Sequence, residues 1–478
     1  MPGYCGPGQP LRRKFNMKTN IRQTARCLCS AAVLAALTAC GGGDSGPPTY
    51  TVGGTVTGLA GSGLVLQNEA NGDVLAISAP GAFTFATRML SGTSYSVTVK
   101  TPPTSQGCGV ANGAGTIAAT DVTNVTVSCR SGHRGYYGVS GLMQFSYVAN
   151  AVDSTVSAYT VDATSGALAA VGAPVETGTS PHAIVGTQDR RFLFVGNEGS
   201  NDISAFAVNS ASGALVAVPG SPFAAGADPK ALALLGTYPL GPYLYVANAG
   251  SDTVSAFAVD SSTGSLTPLS PATFATGKGP SSIEVDPTGR FLYVANNGGS
   301  NDISVFSVDL STGLLTPVAG SPFPAGASPL SLALGATGQF LYTANPDATN
   351  SSISGFSVDL GSGVLTPLSG SPFPLAVSHS IATDRTGAYL YVTSGANVLG
   401  YGIDPTSGAL TALAGFPVGT GAGAYSVTID PTNQFLYVVN RGSANVSGFG
   451  FDASTGGLTP ITDSPFAAGN LPGIIAAL

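Results

Sequence analysis

Tryptophan is absent from this chain and charge is scarce: only 9% of its 478 residues are charged, and three are His. So few Glu and Lys argue against a helical protein, because helices draw on Ala, Leu, Glu and Lys. With 66 Gly and 33 Pro present, the polar surface falls to Gly, Ser, Thr, Asn and Pro, which suit many short strands joined by tight turns. No G-x-S-x-G elbow, H-E-x-x-H pair or P-loop occurs, so the chemistries those motifs carry are not expected. Gly58, Gly61 and Gly63 are spaced loosely like a nucleotide-binding loop, but no helix or acidic ribose partner follows, and they read as turn residues.

Long apolar runs are missing as well, apart from one short stretch near the start. Lys18, Arg22 and Arg26 precede the apolar run Cys27–Leu37, which leads into Leu37-Thr38-Ala39-Cys40 and Gly41-Gly42-Gly43. A basic head, a short apolar stretch and small residues before a cut site read as a secretory signal too short to span a bilayer. Residues 1–39 are therefore expected to be a leader, with Met17 the expected true start, and 40–49 a lipidated Cys40 followed by a flexible tether. Leu-Thr-Ala-Cys resembles the lipobox of bacterial lipoproteins, whose Cys becomes the lipid-modified N-terminus. The lipid at Cys40 would be the membrane anchor. Gly41 gives no Asp-type retention signal, which favours the outer membrane or cell surface.

Six of the 17 basic residues lie in the leader, so the mature chain has 11 basic and 24 acidic groups, a net charge of −13. That balance speaks against nucleic acid as a partner. Beyond the leader and Cys40, the cysteines come down to Cys108 and Cys129, which are expected to form a disulfide in an oxidising compartment. Two Cys without a nearby His pattern fall short of a four-ligand zinc site, and neither metal nor cofactor is expected.

Residues 50–130 read as a small β-sandwich of about seven short strands, among them Leu64-Val65-Leu66, Phe83-Thr84-Phe85 and Tyr95–Val99. Residues 131–478 carry the dominant signal. A strand reading F-L-Y-V-A-N, or close to it, begins at Phe145, Phe192, Tyr243, Phe291, Phe340, Tyr389 and Phe435, at intervals of 46 to 51 residues. A period near 48 built only from strand signals predicts a β-propeller of seven four-stranded blades. The first copy lacks an inner strand before Phe145, and the last runs on into Leu471-Pro472-Gly473-Ile474-Ile475. The C-terminal strand is thus expected to complete the first blade and close the ring, which removes exposed sheet edges. The fold class is all-β: a seven-bladed propeller preceded by a small sandwich.

The repeated G-S-P-F…A-G, P-x-x-I and T-G-x-L-T-P elements resemble the seven-bladed lactonase family, which includes cytosolic 6-phosphogluconolactonase and a fungal muconate-cyclising enzyme. The resemblance covers about 340 residues and concerns mostly turn and packing positions, so it implies the scaffold more than the activity.

Candidate site residues are those that break the repeat. The position after the Pro that opens each inner strand reads His182, Lys230, Ser281, Leu330, His379, Tyr425 and Gly473. The loop position after each repeated Asn (Ser394 in one copy) reads Ala151, Glu198, Ala249, Asn297, Pro346, Gly395 and Arg441. Both sets are expected at one mouth of the central channel. The resemblance implies acid/base and carboxylate-binding roles for an Arg or His after the Pro and a Glu after the Asn, matched here by His182 and Glu198. Lys230, His379, Tyr425 and Arg441 are the ligand-binding candidates. The family's Pro-Arg-His element is absent, and a sugar phosphate would want more cations than this mouth offers. The repeated Asn residues are read as Asx-turn formers, with Asp153, Asp202, Asp252 and Asp302 as turn residues.

Two functions follow. The first is a monomeric, lipid-anchored envelope scaffold whose propeller mouth binds a glycan, peptide or envelope protein. The alternative is an extracytoplasmic lactone hydrolase using His182 and Glu198, with Lys230 or Arg441 holding a substrate carboxylate. The distinguishing geometry is whether His182 and Glu198 converge at an open mouth.

Overall fold

The computed structural model describes residues 48–59, 63–101, 106–131, 144–236, 242–347, 350–375 and 378–478. The leader, Cys40 and His133 lie outside the described residues. Every regular element described is a β-strand.

The N-terminal strands form a sandwich. One four-stranded sheet orders Gly81–Thr84, Val52–Thr57, Val122–Ser131 and Gln106–Ala111; the other orders Asp73–Ile77, Leu64–Asn68, Ser94–Thr101 and Ala114–Thr116. Eight strands thus build the two sheets, and Thr49–Tyr50 pairs with Met89–Leu90 beside them. The eight are close to the expected number of about seven. Val52, Val56, Leu64, Leu66, Phe83, Phe85 and Val127 fill the core. Cys108 and Cys129 sit opposite one another on adjacent strands, joined by a disulfide with a Cα–Cα distance of 4.0 Å.

Seven antiparallel sheets form the propeller. Blade 1 comprises Gln144–Asn150, Thr155–Val161, Leu168–Ala170 and the C-terminal Pro472–Ala477, which pairs with Gln144–Asn150. Blades 2 to 7 open on inner strands at Pro181, Pro229, Pro280, Ser331, Ile381 and Ala424. These six and Pro472–Ala477 contact one another in an unbroken circle, so the ring closes as expected. Most blades also add a two-residue strand to the third, such as Phe223–Ala224 on Asp202–Val208. This segment belongs to the S-P-F element, and the Ser hydroxyl serves the sheet. Ser221, Ser321, Ser371 and Ser464 accept the backbone N–H of Ala205, Val305, Gly355 and Gly448 at 2.8–3.0 Å.

The seven-fold phrase encodes contacts between blades. The first aromatic of each copy lies over the glycine of the next blade's Ser-Gly or Thr-Gly turn, as Phe145 over Gly213 and Phe435 over Gly166. These glycines have φ near +74°, and an added methyl would overlap the ring. The buried Tyr two positions on donates to the same glycine's carbonyl: Tyr147 to Gly213, Tyr245 to Gly313, Tyr342 to Gly408, Tyr391 to Gly456 and Tyr437 to Gly166, at 2.6–2.9 Å. The last bond ties blade 7 to blade 1.

Nearer the axis, Ser282, Ser331 and Ser380 accept the free N–H of Leu332, Ile381 and Val427 on the next inner strand, at 3.0–3.3 Å. An inner strand has no sheet partner on its axial side, and these hydroxyls satisfy part of that edge.

Candidate functional site

The repeated Asn residues make a different bond from the one expected. They are fully buried, and each Nδ2 donates to side chains of the third strand rather than closing an Asx turn on the backbone. Asn197 reaches Asp202 (2.6 Å) and Ser204 (2.9 Å), and Asn440 reaches Asn445 (2.7 Å) and Ser447 (2.8 Å). Burial leaves the Asn amide no water, and the paired strand start offers acceptors. The Asp residues also differ from the turn role expected of them: Asp202 and Asp302 open third strands and accept from Asn197 (2.6 Å) and Asn296 (2.7 Å), while Asp252 and Asp153 link separate loops by accepting the N–H of Gly279 (2.7 Å) and Asn470 (2.7 Å).

The Asn side chain fixes where the second strand stops, and the next residue is then tied to the inner strand. Glu198, Ala249, Asn297, Arg441 and Ala151 donate their backbone N–H to Ser180, Asp228, Gly279, Gly423 and Leu471, respectively, at 2.8–3.2 Å. Those acceptors all have positive φ, from 46° to 67°, and immediately precede the residue that opens the inner strand. One position further on, the ladder shifts register: the pairs Pro181–Asn197 and Ala183–Gly196 leave His182 as an extra residue. Lys230, Ser281 and Tyr425 occupy the same bulge. A bulge re-aims its extra side chain out of the alternating pattern. This is why a position one residue into a packed strand presents its side chain at the mouth.

All six candidate residues meet there. Lys230 Nζ lies 2.7 Å from Glu198 Oε1 and 3.2 Å from Asp228 Oδ1. Glu198 Oε2 lies 3.4 Å from His182 Nδ1, close enough for attraction but out of line for a hydrogen bond, so Nδ1 is buried without a hydrogen-bond partner. The other ring nitrogen of His182 faces Tyr425 Oη at 3.5 Å. The Tyr425 and His379 rings lie 5.6 Å apart, and Arg441 Cζ stands 4.4 Å above the Tyr425 ring in a cation–π contact.

Blade 1 lies between blades 7 and 2, and its residue at the equivalent position is Gly473. Its lack of a side chain leaves the gap across which Tyr425 meets His182. An added methyl would come no nearer than 3.4 Å to His182 O, but a larger side chain would enter the gap.

The electrostatics divide the two cations. Burial would lower the Lys230 pKa, but the hydrogen bond and charge of Glu198, with Asp228, outweigh it and raise the pKa. Burial would raise the Glu198 pKa; Lys230 foremost, with His182 and Arg441, outweighs it and keeps the carboxylate ionised. His182 is pushed down to about 4 by burial and then by Lys230 and Arg441, against the pull of Glu198. His379 is lowered by burial and Arg441. Both histidines are therefore neutral at pH 7. Arg441 makes no ion pair among the described residues, and its Nε is buried without a partner. Lys230 is committed to two carboxylates, whereas Arg441 is available to an anion.

Asp228 was not among the candidates. The signal was present, since the residue before each inner strand also varies between blades. The described residues contain no group of three or more His, Cys, Asp or Glu placed to hold a metal.

The family model "Lactonase, 7-bladed beta-propeller" matches residues 139–227 and 238–378. Among solved structures, a putative 6-phosphogluconolactonase from Bacteroides fragilis is 20% identical, with a TM-score of 0.60 over 71% of this chain and 99% of that one. The periplasmic gluconolactonase of Pseudomonas aeruginosa is 19% identical, again with a TM-score of 0.60 over 71% and 99%. A second putative 6-phosphogluconolactonase, from Bacteroides uniformis, is 17% identical, with a TM-score of 0.60 over 70% and 99%. Comparison with curated protein sequences gives no match. The propeller of this chain is a lactonase-family propeller.

Proposed function

We propose that this is an exported, lipid-anchored lactone hydrolase that opens an unphosphorylated lactone at the mouth of its propeller. The observation that carries the reading is the approach of His182 Nδ1 to Glu198 Oε2, 3.4 Å apart beside an unpaired Arg441. The negative charge of Glu198 3.4 Å from Nδ1 favours the proton on that nitrogen, which leaves the lone pair of His182 on Nε2, toward the mouth. There Nε2 accepts a proton from water as the water oxygen adds to the lactone carbonyl carbon. The ring C–O bond then breaks, and the proton passes from Nε2 to the departing ring oxygen, leaving a hydroxy acid. Tyr425 Oη, facing the same nitrogen, is placed to donate to the developing oxyanion. Arg441 is the cation for a substrate carboxylate, while Lys230 holds Glu198 ionised and in place.

One available cation suits a carboxylate or a neutral sugar lactone better than a phosphate ester. The Pseudomonas aeruginosa protein of the same fold is a periplasmic gluconolactonase, which is consistent with such chemistry outside the cytoplasm. Anchoring rests on the sequence around Cys40, and a Cys40→Ser chain that still fractionates with membranes would remove it.

A ligand-binding scaffold for a glycan, peptide or envelope protein is the second reading. It is favoured by the His182 pKa of about 4, since so weak a base accepts a proton from water with little driving force. A panel of lactones, assayed by acid release with wild type and His182→Ala, separates the two. Hydrolysis lowered about 10²–10⁴-fold by the substitution supports the catalytic role. Turnover unchanged by it rejects this mechanism, and no turnover of any lactone leaves the binding reading.

A further inference from the structure

Blade 1 departs from the other blades at the mouth in a way that the hydrolytic reading does not use. Two positions after the repeated Asn, the other blades carry Gly199, Gly250, Gly298, Asp347, Ala396 and Gly442; blade 1 carries Val152. At the residue before the inner strand, the other blades carry Ser180, Asp228, Gly279, Ser328, Val377 and Gly423; blade 1 carries Leu471. Blade 1 alone is branched-aliphatic at both positions, on loops joined by the bond from Ala151 N to Leu471 O.

Both side chains reach water. Val152 is 61% exposed and Leu471 43% exposed. Leu471 also holds φ at 46°, a left-handed conformation that disfavours a residue with a side chain. Its loop is held by Asp153, which accepts both the N–H and the side-chain amide of Asn470, at 2.7 and 2.9 Å. A strained, exposed Leu beside an exposed Val leaves water-facing apolar area that packing does not explain. Alongside lies Gly473, with no side chain, and the polar groups stand on either side: Tyr425 and Arg441 on blade 7, His182 and Glu198 on blade 2.

Resting on the hydrolytic reading, we infer that blade 1 is the subsite for an aliphatic substituent, so that the substrates are lactones bearing an alkyl chain. The lactone ring would lie against His182, Tyr425 and Arg441, and the chain would cross the gap at Gly473 onto Leu471 and Val152. Each methylene covered adds to binding through the hydrophobic effect. An open rim covers a chain on one side only, which sets the expected preference for a long chain at about tenfold rather than the larger factors of a closed pocket.

The test compares γ-butyrolactone with γ-nonalactone and γ-dodecalactone on the full chain, reading kcat/KM and, separately, binding by calorimetry. Val152→Gly and Leu471→Ser install residues that other blades carry at these positions, and Ser180 and Ser328 show that Ser adopts the same φ. The expected result is a preference for the longer lactones of about tenfold in wild type, falling toward parity in the double variant. Gly473→Leu should abolish the long-chain preference by filling the gap. Equal handling of short and long lactones by wild type overturns the inference, as does a preference that the double variant retains. If no lactone is hydrolysed, the hydrolytic reading fails, and calorimetry still decides the subsite. A chain-length preference in binding that the double variant loses upholds it, and its absence rejects it.

Discussion

Blades 2 and 4 have the same frame and opposite uses of it. In both, a bulge sets one residue apart at the start of the inner strand: His182 in one, Ser281 in the other. In both, the loop residue after the Asn is tied by its N–H to a residue with positive φ. Ser281 then turns to the backbone, its hydroxyl 2.9 Å from Pro329 O and 3.3 Å from Ala295 O, and its capacity is consumed by the fold. His182 keeps Nδ1 unbonded within reach of Glu198. One device serves structure in blade 4 and leaves a reactive group unsatisfied in blade 2. Buried polar groups without partners are uncommon, and here His182, His379 and Arg441, all at one mouth, each have one.

The contrast can be broken at its strongest point by comparing His182→Ala with Ser281→Ala on whichever lactone turns over best. The first should cost about 10²–10⁴ in kcat/KM. The second should stay within about twofold, because Ser281 makes only backbone bonds. A large loss from Ser281→Ala would mean that the mouth acts as a whole ring.

Next in size is a test that the two blades share their frame. Gly213→Val and Gly313→Val each place a branched side chain at φ near +74° against the ring of Phe145 or Tyr243. Both should cost about 3 kcal/mol or more, read from urea midpoints. Unequal losses would show that the blades are not interchangeable as scaffold.

Arg441→Gln should raise KM for a carboxylate-bearing lactone about tenfold or more, the worth of a hydrogen bond to a charged group. It should also move the acid limb of the kcat/KM profile. Wild type should lose activity as pH falls through about 4, where His182 gains its proton. Arg441 and Lys230 lower that pKa, so Arg441→Gln and Lys230→Met shift the limb upward; Glu198 raises it, so Glu198→Gln shifts it downward. A limb that stays in place in all three variants would mean that another group sets it.

The smallest effect concerns Glu284, on the inner strand of blade 4, whose pKa burial raises to about 7. The folded chain holds this proton more tightly than the unfolded chain, so its contribution to stability is lost as pH rises from about 4.5 to 7. His182 has the opposite sign: its folded pKa is depressed, so stability is lost as pH falls from 6.5 to about 4. Glu284→Gln should therefore raise the urea midpoint at pH 8 relative to pH 5 by comparison with wild type. No change in that difference would show that water reaches the carboxyl freely.

Much of the frame is legible in the residues because it repeats. The aromatic that opens each copy, the Tyr two positions on and the glycine of the Ser-Gly or Thr-Gly turn recur because each blade meets its neighbour in the same way. Candidate positions are legible by contrast with the repeat, and six of them lie together at the mouth. Their division of labour is not legible. Lys230 and Arg441 are equivalent cations on paper, and only their neighbours distinguish them: Asp228 and Glu198 engage Lys230, whereas Arg441 stands over an aromatic face. Asp228, Val152 and Leu471 were equally visible as departures from the repeat, but nothing local marks a turn residue as part of a site.

The sequence by itself determined the number of blades, the closing strand, the pairing of Cys108 with Cys129 and the positions free to vary. The blades, the closing strand and the variable positions depend on a period that neighbouring residues impose, and the disulfide on these being the two cysteines beyond the leader and Cys40. Only the tertiary structure decided that His182 reaches Glu198 in its own blade, Lys230 in the next contributes the balancing charge, and Tyr425 meets His182 across blade 1. Those distances depend on how the ring brings together residues up to 243 positions apart, on bulges that re-aim side chains, and on the empty space at Gly473. Contacts among the residues that break the repeat follow from closure of the ring, which no single repeat encodes.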